Sequence, residues 1–429
     1  MRRHALLACL ALAAAAPARA ERARVVVDSP DFRPLPLAIP AFAATGDARA
    51  AEEAVEVLRA DLALSGFFEV LDPRGYLAEP GEGLDAASIK FGRWTTVGAE
   101  GLVKARVRRE AGGLGADLRL HEVRGGREVL QRILTEPDAR ALAHRMADEL
   151  VRHYTGEAGI FRTHLVAVRR TARETRELVI YDADGKNPRV LLTETALLLM
   201  PTWHPDGDRI LVTSYRSGQP ELWVYRLSDR SFRRLPTGHV AMGGAFSPDG
   251  TRLAFTAADG EDTDIWVAAA DGSGGRRLTT TRALDLSPAW SPDGKRIAFV
   301  SDRSGTPQLF VMNADGTEQR RLTFQGNYNQ TPQWSPRGDL IAFTARDERR
   351  VFDVFVISPE SGRIDRVTQD QGRTNEEPTW APNGRVLAFT SDRSGTPQLV
   401  LSDVRGDRQV PATTGGELAT PAWGPLPRE

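Results

Sequence analysis

Apolar and polar positions fall into two regimes along this chain. Beyond about residue 160 the apolar residues come in runs of four: Leu253-Ala254-Phe255-Thr256, Ile297-Ala298-Phe299-Val300, Ile341-Ala342-Phe343-Thr344 and Leu387-Ala388-Phe389-Thr390. Runs this short, bounded by turn residues, predict strands rather than helices. Each follows a turn of the Ser-Pro-Asp-Gly type, in which Pro fixes φ and Gly takes a left-handed conformation that strains other residues. A polar Ser-Gly loop then leads to a third strand such as Gln308 to Met312. An Asp-Gly turn (Asp271-Gly272, Asp315-Gly316) leads to a fourth, ending Arg-Arg-Leu-Thr.

The unit repeats. Counted from its aromatic residue, copies begin at Trp203, Phe246, Trp290, Trp334, Trp380 and Trp423, at steps of 43, 44, 44, 46 and 43 residues. Four antiparallel strands per step make one β-propeller blade. Five aromatic positions open complete sets. Three orphan strands, His164 to Val168, Glu177 to Tyr181 and Arg189 to Leu192, precede them, and Ala419 to Trp423 has no second strand after it. Pairing that last strand with the orphans closes a six-bladed ring without open edges.

Ahead of the repeats the period changes. Arg24-Val25-Val26-Val27-Asp28 and Leu37 to Pro40 read as short strands. Ala54, Leu58 and Leu62 mark one face of a helix between Asp47 and Ser65, with Gly66 after its end. Phe67 to Leu71 returns to strand. Leu102 to Arg108, Ala116 to Val123 and Arg127 to Leu134 form a meander, and Asp138 caps a helix that ends near Gly156. The expected organisation is a signal peptide at 1–20, a small α/β domain at 21–158 and the propeller at 159–429, mostly β overall.

Composition narrows the function. Balanced charge, with 56 basic and 57 acidic residues, argues against a nucleic-acid partner. Arg2-Arg3, an apolar run over Ala5 to Ala16 and Ala18-Arg19-Ala20 have the pattern of a cleavable secretory signal, too short to span a bilayer. The single cysteine, Cys9, lies inside it, so the mature chain would have no disulfide.

Catalytic signals are weak. No G-x-S-x-G occurs, and no histidine pair has zinc-ligand spacing. Asp182-Ala183-Asp184-Gly185 resembles the start of a calcium loop, but Leu192 and Thr193 stand where the acidic twelfth ligand belongs, which favours turn chemistry. No metal or cofactor is expected. Arg216, Arg303 and Arg393 recur at one repeat position and are expected to hold loops between blades; the repeat tryptophans are expected to wedge against neighbouring blades.

The copies diverge in the loops that join one blade to the next: Glu194 to Met200, Thr237 to Gly244, Thr280 to Ser287, Gln325 to Thr331, Gln369 to Glu377 and Thr413 to Thr420. These surround one mouth of the central channel. Variable loops on a rigid ring suit protein recognition. Competing readings are a secreted hydrolase or lyase using Asp285, Glu376 and Glu377, and a glycan-binding propeller.

Several segments are similar to the TolB family, periplasmic components of Tol-Pal envelope systems. They are Arg24 to Ser29, Ala60-Asp61-Leu62 through Ser65-Gly66-Phe67-Phe68, Thr155-Gly156 through Gly159-Ile160-Phe161-Arg162-Thr163, Asp182 to Pro188 and Pro421-Ala422-Trp423. The resemblance covers the mature chain. It implies a non-enzymatic, monomeric periplasmic scaffold that supports outer-membrane integrity and envelope constriction at cell division, without inserting into a membrane. Its propeller mouth would bind the lipoprotein Pal, and its N-terminal segment, Arg24, Val25, Val26, Val27 and Asp28, the C-terminal domain of TolA. The mouth positions expected to touch Pal are His239, Gly243, Asp285, Leu286, Asn329, Asn375 and Glu376. Other members can have a histidine where this chain has Val240, with His239 one position away.

Overall fold

The computed structural model describes residues 33–77, 81–259, 262–346, 350–369 and 371–428. The expected signal peptide and the strand at Arg24 to Asp28 lie outside the described residues.

The amino-terminal region packs two long helices on a mixed sheet. Helix α1 (Ala48–Leu64) is capped by Asp47, whose side chain accepts from the Ala50 amide. Its face of Ala54, Leu58 and Leu62 is buried against the sheet. The short helix α2 (Phe91–Thr96), absent from the sequence pattern, anchors the fully buried Trp94 in a small separate cluster. Helix α3 (Ala139–Thr155) starts at Asp138 and stops at Gly156, which has φ 77 in the left-handed region. The sheet order, by strands, is Phe68–Val70, Leu35–Ala38, Gly101–Glu110, Gly113–Glu122 and Arg127–Glu136, with Ala43–Thr45 pairing beside Gly101–Glu110. The last three form the expected meander. The first pairs are parallel.

Six four-stranded sheets follow, and each is one blade. Blade 1 takes its innermost strand from the far end of the chain: Glu417–Trp423 pairs antiparallel with His164–Ala172, ahead of Thr175–Asp182 and Arg189–Glu194. The innermost strands of blades 2 to 6 are Leu198–Trp203, Val240–Phe246, Asp285–Trp290, Asn329–Trp334 and Asn375–Trp380. The turns behave as their residues require. In blade 4, Asp293 Oδ1 accepts from Ser291 Oγ at 2.6 Å and from the Lys295 amide, while Gly294 has φ 68. The following strands bury Phe255, Phe299, Phe343 and Phe389 completely. Among the repeat tryptophans, Trp203, Trp290 and Trp380 donate their indole N–H to the innermost strand of the preceding blade, at Ala422, Ala245 and Gln333.

The amino-terminal domain sits over the seam where the ring closes. One apolar cluster runs from Leu58, Leu142 and Phe161 into Leu165, Tyr181, Leu399, Leu418 and Trp423, joining it to blades 1 and 6. Polar contacts frame this cluster. Arg140 meets Asp182 at 3.3 Å and Asp184 at 2.7 Å; Arg385 meets Glu157 at 3.0 Å; Arg408 donates to the Ala63 carbonyl at 2.7 Å. All these propeller residues lie in or beside the hairpin turns of one face. The mouth formed by the blade-to-blade loops is on the other face, away from these contacts.

Candidate functional site

The mouth narrows to a neck built by a repeated backbone device. Each innermost strand has a register break, and at each break one residue takes a left-handed conformation: Met200 (φ 50), Gly243 (φ 48), Ser287 (φ 54), Thr331 (φ 51), Glu377 (φ 59) and Thr420 (φ 49). Five of the six are followed by proline, Pro201, Pro288, Pro332, Pro378 and Pro421. Proline has no N–H for the ladder, so the strand bulges there, and a non-glycine residue held this way stores about 1–3 kcal/mol of strain. Neighbouring blades secure the strained amides. Thr213 Oγ1 accepts from the Gly243 amide at 2.9 Å, Thr256 from Ser287 at 3.2 Å and Thr344 from Glu377 at 3.0 Å. At the seam of blades 6 and 1 the carboxylate of Glu377 takes over this part, accepting from the Thr420 amide at 2.5 Å.

The neck encloses about 80 Å³, lined by these residues and prolines. That is far below the roughly 300–1,000 Å³ of a small-molecule pocket. Glu377 lines the neck, and Glu376 precedes it at the opening. Burial pushes the Glu376 carboxyl up to about 7, with Glu377 and Asp392 adding repulsion. Burial also raises Glu377, against the pull of the Thr420 amide and the Thr390 hydroxyl.

The expected contact residues fall in two environments. Asp285, Leu286, Asn329, Asn375, Glu376 and Gly243 belong to the innermost strands rather than to free loops. Gly243, Asp285, Asn329 and Asn375 are buried. Asp285 Oδ2 accepts from Arg303 at 2.9 Å, Asn375 Oδ1 from Arg393 at 3.1 Å, and Asn329 Nδ2 donates to Gln308 at 2.9 Å. Their polarity is spent on the seams beneath the mouth, which also removes Asp285 as a carboxylate for catalysis. Arg303 and Arg393 therefore act within their own blades, whereas Arg216 pairs with Glu194 across blades 1 and 2. His239, Leu286 and Glu376 remain half-buried at the opening. The His239 ring lies against Trp266, centroids 4.3 Å apart.

Three apolar side chains on the same loops were not anticipated. Leu197 is 38% exposed, Leu284 45% and Phe324 73%. A large apolar residue among mostly polar neighbours was the signal for Leu284 and Phe324, whereas Leu197 lies in the apolar run Ala196 to Met200 and carried none. Exposed apolar residues of this kind suit a protein partner that covers them.

A second unanticipated feature is the charged cluster between the domains. His144 Nδ1 lies 2.7 Å from Asp61 Oδ2, and His144 Nε2 lies 3.8 Å from Asp182. Burial alone would lower the imidazole pKa, but Asp61, Asp182 and Asp184 outweigh it and push it up to about 10. Ligand-type atoms of His144, Asp182 and Asp184 lie within 4.8 Å of one another. Arg140 already donates to both aspartates, so the charge balance a metal would supply is provided by the chain. The Asp-Gly turn read as plain turn chemistry thus doubles as an interdomain contact.

Comparisons with known proteins agree with this architecture. The TolB beta propeller domain family matches residues 151–427, and the TolB amino-terminal domain family residues 23–129. A Tol-Pal system protein TolB from Anaeromyxobacter dehalogenans is 67% identical over 99% of each chain, and one from Myxococcus xanthus 47% identical over 99% of each. The crystal structure of TolB from Acinetobacter baumannii shares the fold, with a TM-score of 0.80 at 24% identity, over 92% of this chain and 97% of that one. With both domains matched and relatives this similar along their full length, the chain belongs to the TolB family of Tol-Pal system proteins.

Proposed function

We propose that the chain is a periplasmic adaptor of the Tol-Pal system that captures the lipoprotein Pal at the propeller mouth and engages the C-terminal domain of TolA through Arg24 to Asp28. The observation that carries the reading is the mouth itself. It is open, rimmed by exposed Leu197, Leu284 and Phe324, and closed below by a neck too narrow for a substrate. Half-buried His239, Leu286 and Glu376 are the expected contacts inside the rim, while Gly243, Asp285, Asn329 and Asn375 set the strands that present them. An N-terminal segment of β-branched residues has the composition to add as a strand to the edge of a TolA sheet. Together the two contacts would couple an outer-membrane lipoprotein to the inner-membrane Tol complex during envelope constriction.

Calorimetric titration of the mature protein with a soluble Pal domain tests the first contact. Saturable heat that weakens when the rim is altered supports it; a folded protein that gives no heat refutes it. Deleting residues 21–29 should remove TolA binding and leave Pal binding in place.

A further inference from the structure

Successive blades are stitched by a repeated polar contact between the start of one innermost strand and the third strand of the blade before it. At the seam of blades 4 and 5, Asn329 Nδ2 donates to Gln308 Oε1 at 2.9 Å; at the seam of blades 5 and 6, Asn375 Nδ2 donates to Asp353 Oδ1 at 2.9 Å. A threonine joins each contact, Thr323 at 2.7 Å from Gln308 and Thr368 at 2.5 Å from Asp353. The ladder registers put Asp285 and Asp264 at the same two places in the seam of blades 3 and 4. Thr279 Oγ1 donates to Asp264 Oδ1 there at 3.1 Å.

The arginine contact identifies which oxygen stands where. Arg393 donates to Asn375 Oδ1, and Arg303 in the same way to Asp285 Oδ2. Asp285 Oδ2 therefore replaces the amide oxygen, and Asp285 Oδ1 replaces the amide nitrogen. That Oδ1 is buried and has no hydrogen-bond partner among the described residues, and both aspartates are 0% exposed. An acceptor stands in a donor's place, and the ladder position that Gln308 and Asp353 take opposite the amide in the sister seams is taken here by Asp264. A buried acceptor left this way has lost its hydration with nothing in exchange, which is destabilising.

We propose that one proton is held between Asp264 and Asp285, so that an O–H···O bond does at this seam what an asparagine amide does at the next two. Among the described residues, two guanidiniums and a hydroxyl face the pair besides Thr279. Arg277, from the fourth strand of blade 3, touches Asp264 Oδ2 at 2.5 Å; Arg303 reaches Asp285 Oδ2, as does the Thr281 hydroxyl at 3.4 Å. The guanidiniums balance charge but leave Asp285 Oδ1 without a hydrogen. Burial raises the Asp264 carboxyl, and Asp285 adds to the rise against Thr279 and Arg277. Asp285 starts the strand that carries Leu286 to the opening and Ser287 into the neck, so the shared proton is a pH-sensitive latch on this part of the mouth. The inference does not depend on which partner the mouth takes.

A carboxyl whose pKa is raised by folding stabilises fully below its unfolded value, and the contribution is lost as pH rises through the folded one. Asp285→Asn supplies the missing amide. Measured by denaturant unfolding from about pH 5 to about pH 9, D285N is expected to match or exceed the parent, with the excess growing as pH rises. Asp285→Ala should be less stable than the parent throughout. The parent-minus-D285N infrared difference spectrum near neutral pH should contain the carbonyl stretch of a protonated carboxylic acid. Parallel pH profiles for parent and D285N, or no such band, would overturn the proposal. Should D285N not fold, Asp264→Asn offers a donor from the opposite side and is read by the same criteria.

Discussion

Asp61 Oδ2 and His144 Nδ1 approach to 2.7 Å with both side chains buried, tying helix α1 to helix α3 directly above the turn that holds Asp182 and Asp184. An imidazole this well surrounded by carboxylates keeps its proton in the folded state. Its stabilising contribution is full below the ordinary imidazole value of about 6.5 and drains away as pH climbs toward 10. The parent protein should therefore lose stability on the alkaline side of neutrality. His144→Gln should flatten that profile and cost roughly 3–5 kcal/mol near pH 7, because Asp61 is left buried without its cation. Urea unfolding at a series of pH values measures both effects.

Exposed rim residues separate binding from folding. Leu284→Ala and Phe324→Ala remove side chains that support no core, so melting temperature should stay within a degree or two. Each should weaken capture of a soluble Pal domain by about 1–2 kcal/mol, roughly tenfold, in calorimetric titration. Unchanged affinity in the double variant would place the contact elsewhere.

Glu377 offers a contrast of geometry against charge. Glu377→Ala takes the acceptor from the Thr420 amide and the partner from Thr390, at a cost of about 1–3 kcal/mol. Glu377→Gln keeps an oxygen for that amide and should cost under about half as much. Thermal unfolding of the two variants side by side decides whether the neck needs the acceptor or the charge.

Glu376 sits nearest to titration at physiological pH. With its carboxyl pushed up to about 7, the opening gains one negative charge as pH rises through neutrality. Pal affinity should change across that interval in the parent and stay level in Glu376→Gln, compared at constant ionic strength.

How much of this was legible beforehand follows the physics of each feature. The ring could be read because residues such as Trp290, Gly294 and Phe299 do the same local job in most copies, and local chemistry repeats in sequence. Closure by Glu417–Trp423 followed from counting strands. The interdomain cluster could not be read: Asp61, His144 and Asp182 are far apart in the chain, and nothing local to any of them signals the other two. The burial of Asn329 and Asn375 was hidden for a related reason, since a polar residue at the end of a loop looks the same whether it faces solvent or a buried seam. Leu284 and Phe324 were present as anomalies in polar loops. The six Met200-like positions were also visible, as a residue before proline or glycine three positions ahead of each repeat aromatic, but their left-handed backbone requires the ring to be assembled.

Ring closure can be probed at its lock. Trp423 donates its indole N–H to Thr163 Oγ1 at 2.8 Å, and its backbone amide to Thr379 Oγ1 at 3.0 Å. Trp423→Ala should destabilise by about 3–5 kcal/mol and hasten unfolding. If it unfolds like the parent, the seam contributes little to holding the ring.

The same seam imposes an order of events on biosynthesis. Residues 33–155 are made long before Leu418 and Trp423, yet the apolar surface they rest on includes those two side chains. The early domain thus has no finished berth until the final segment has threaded back to the beginning, and a tag or truncation at the carboxyl end is felt first at the opposite terminus.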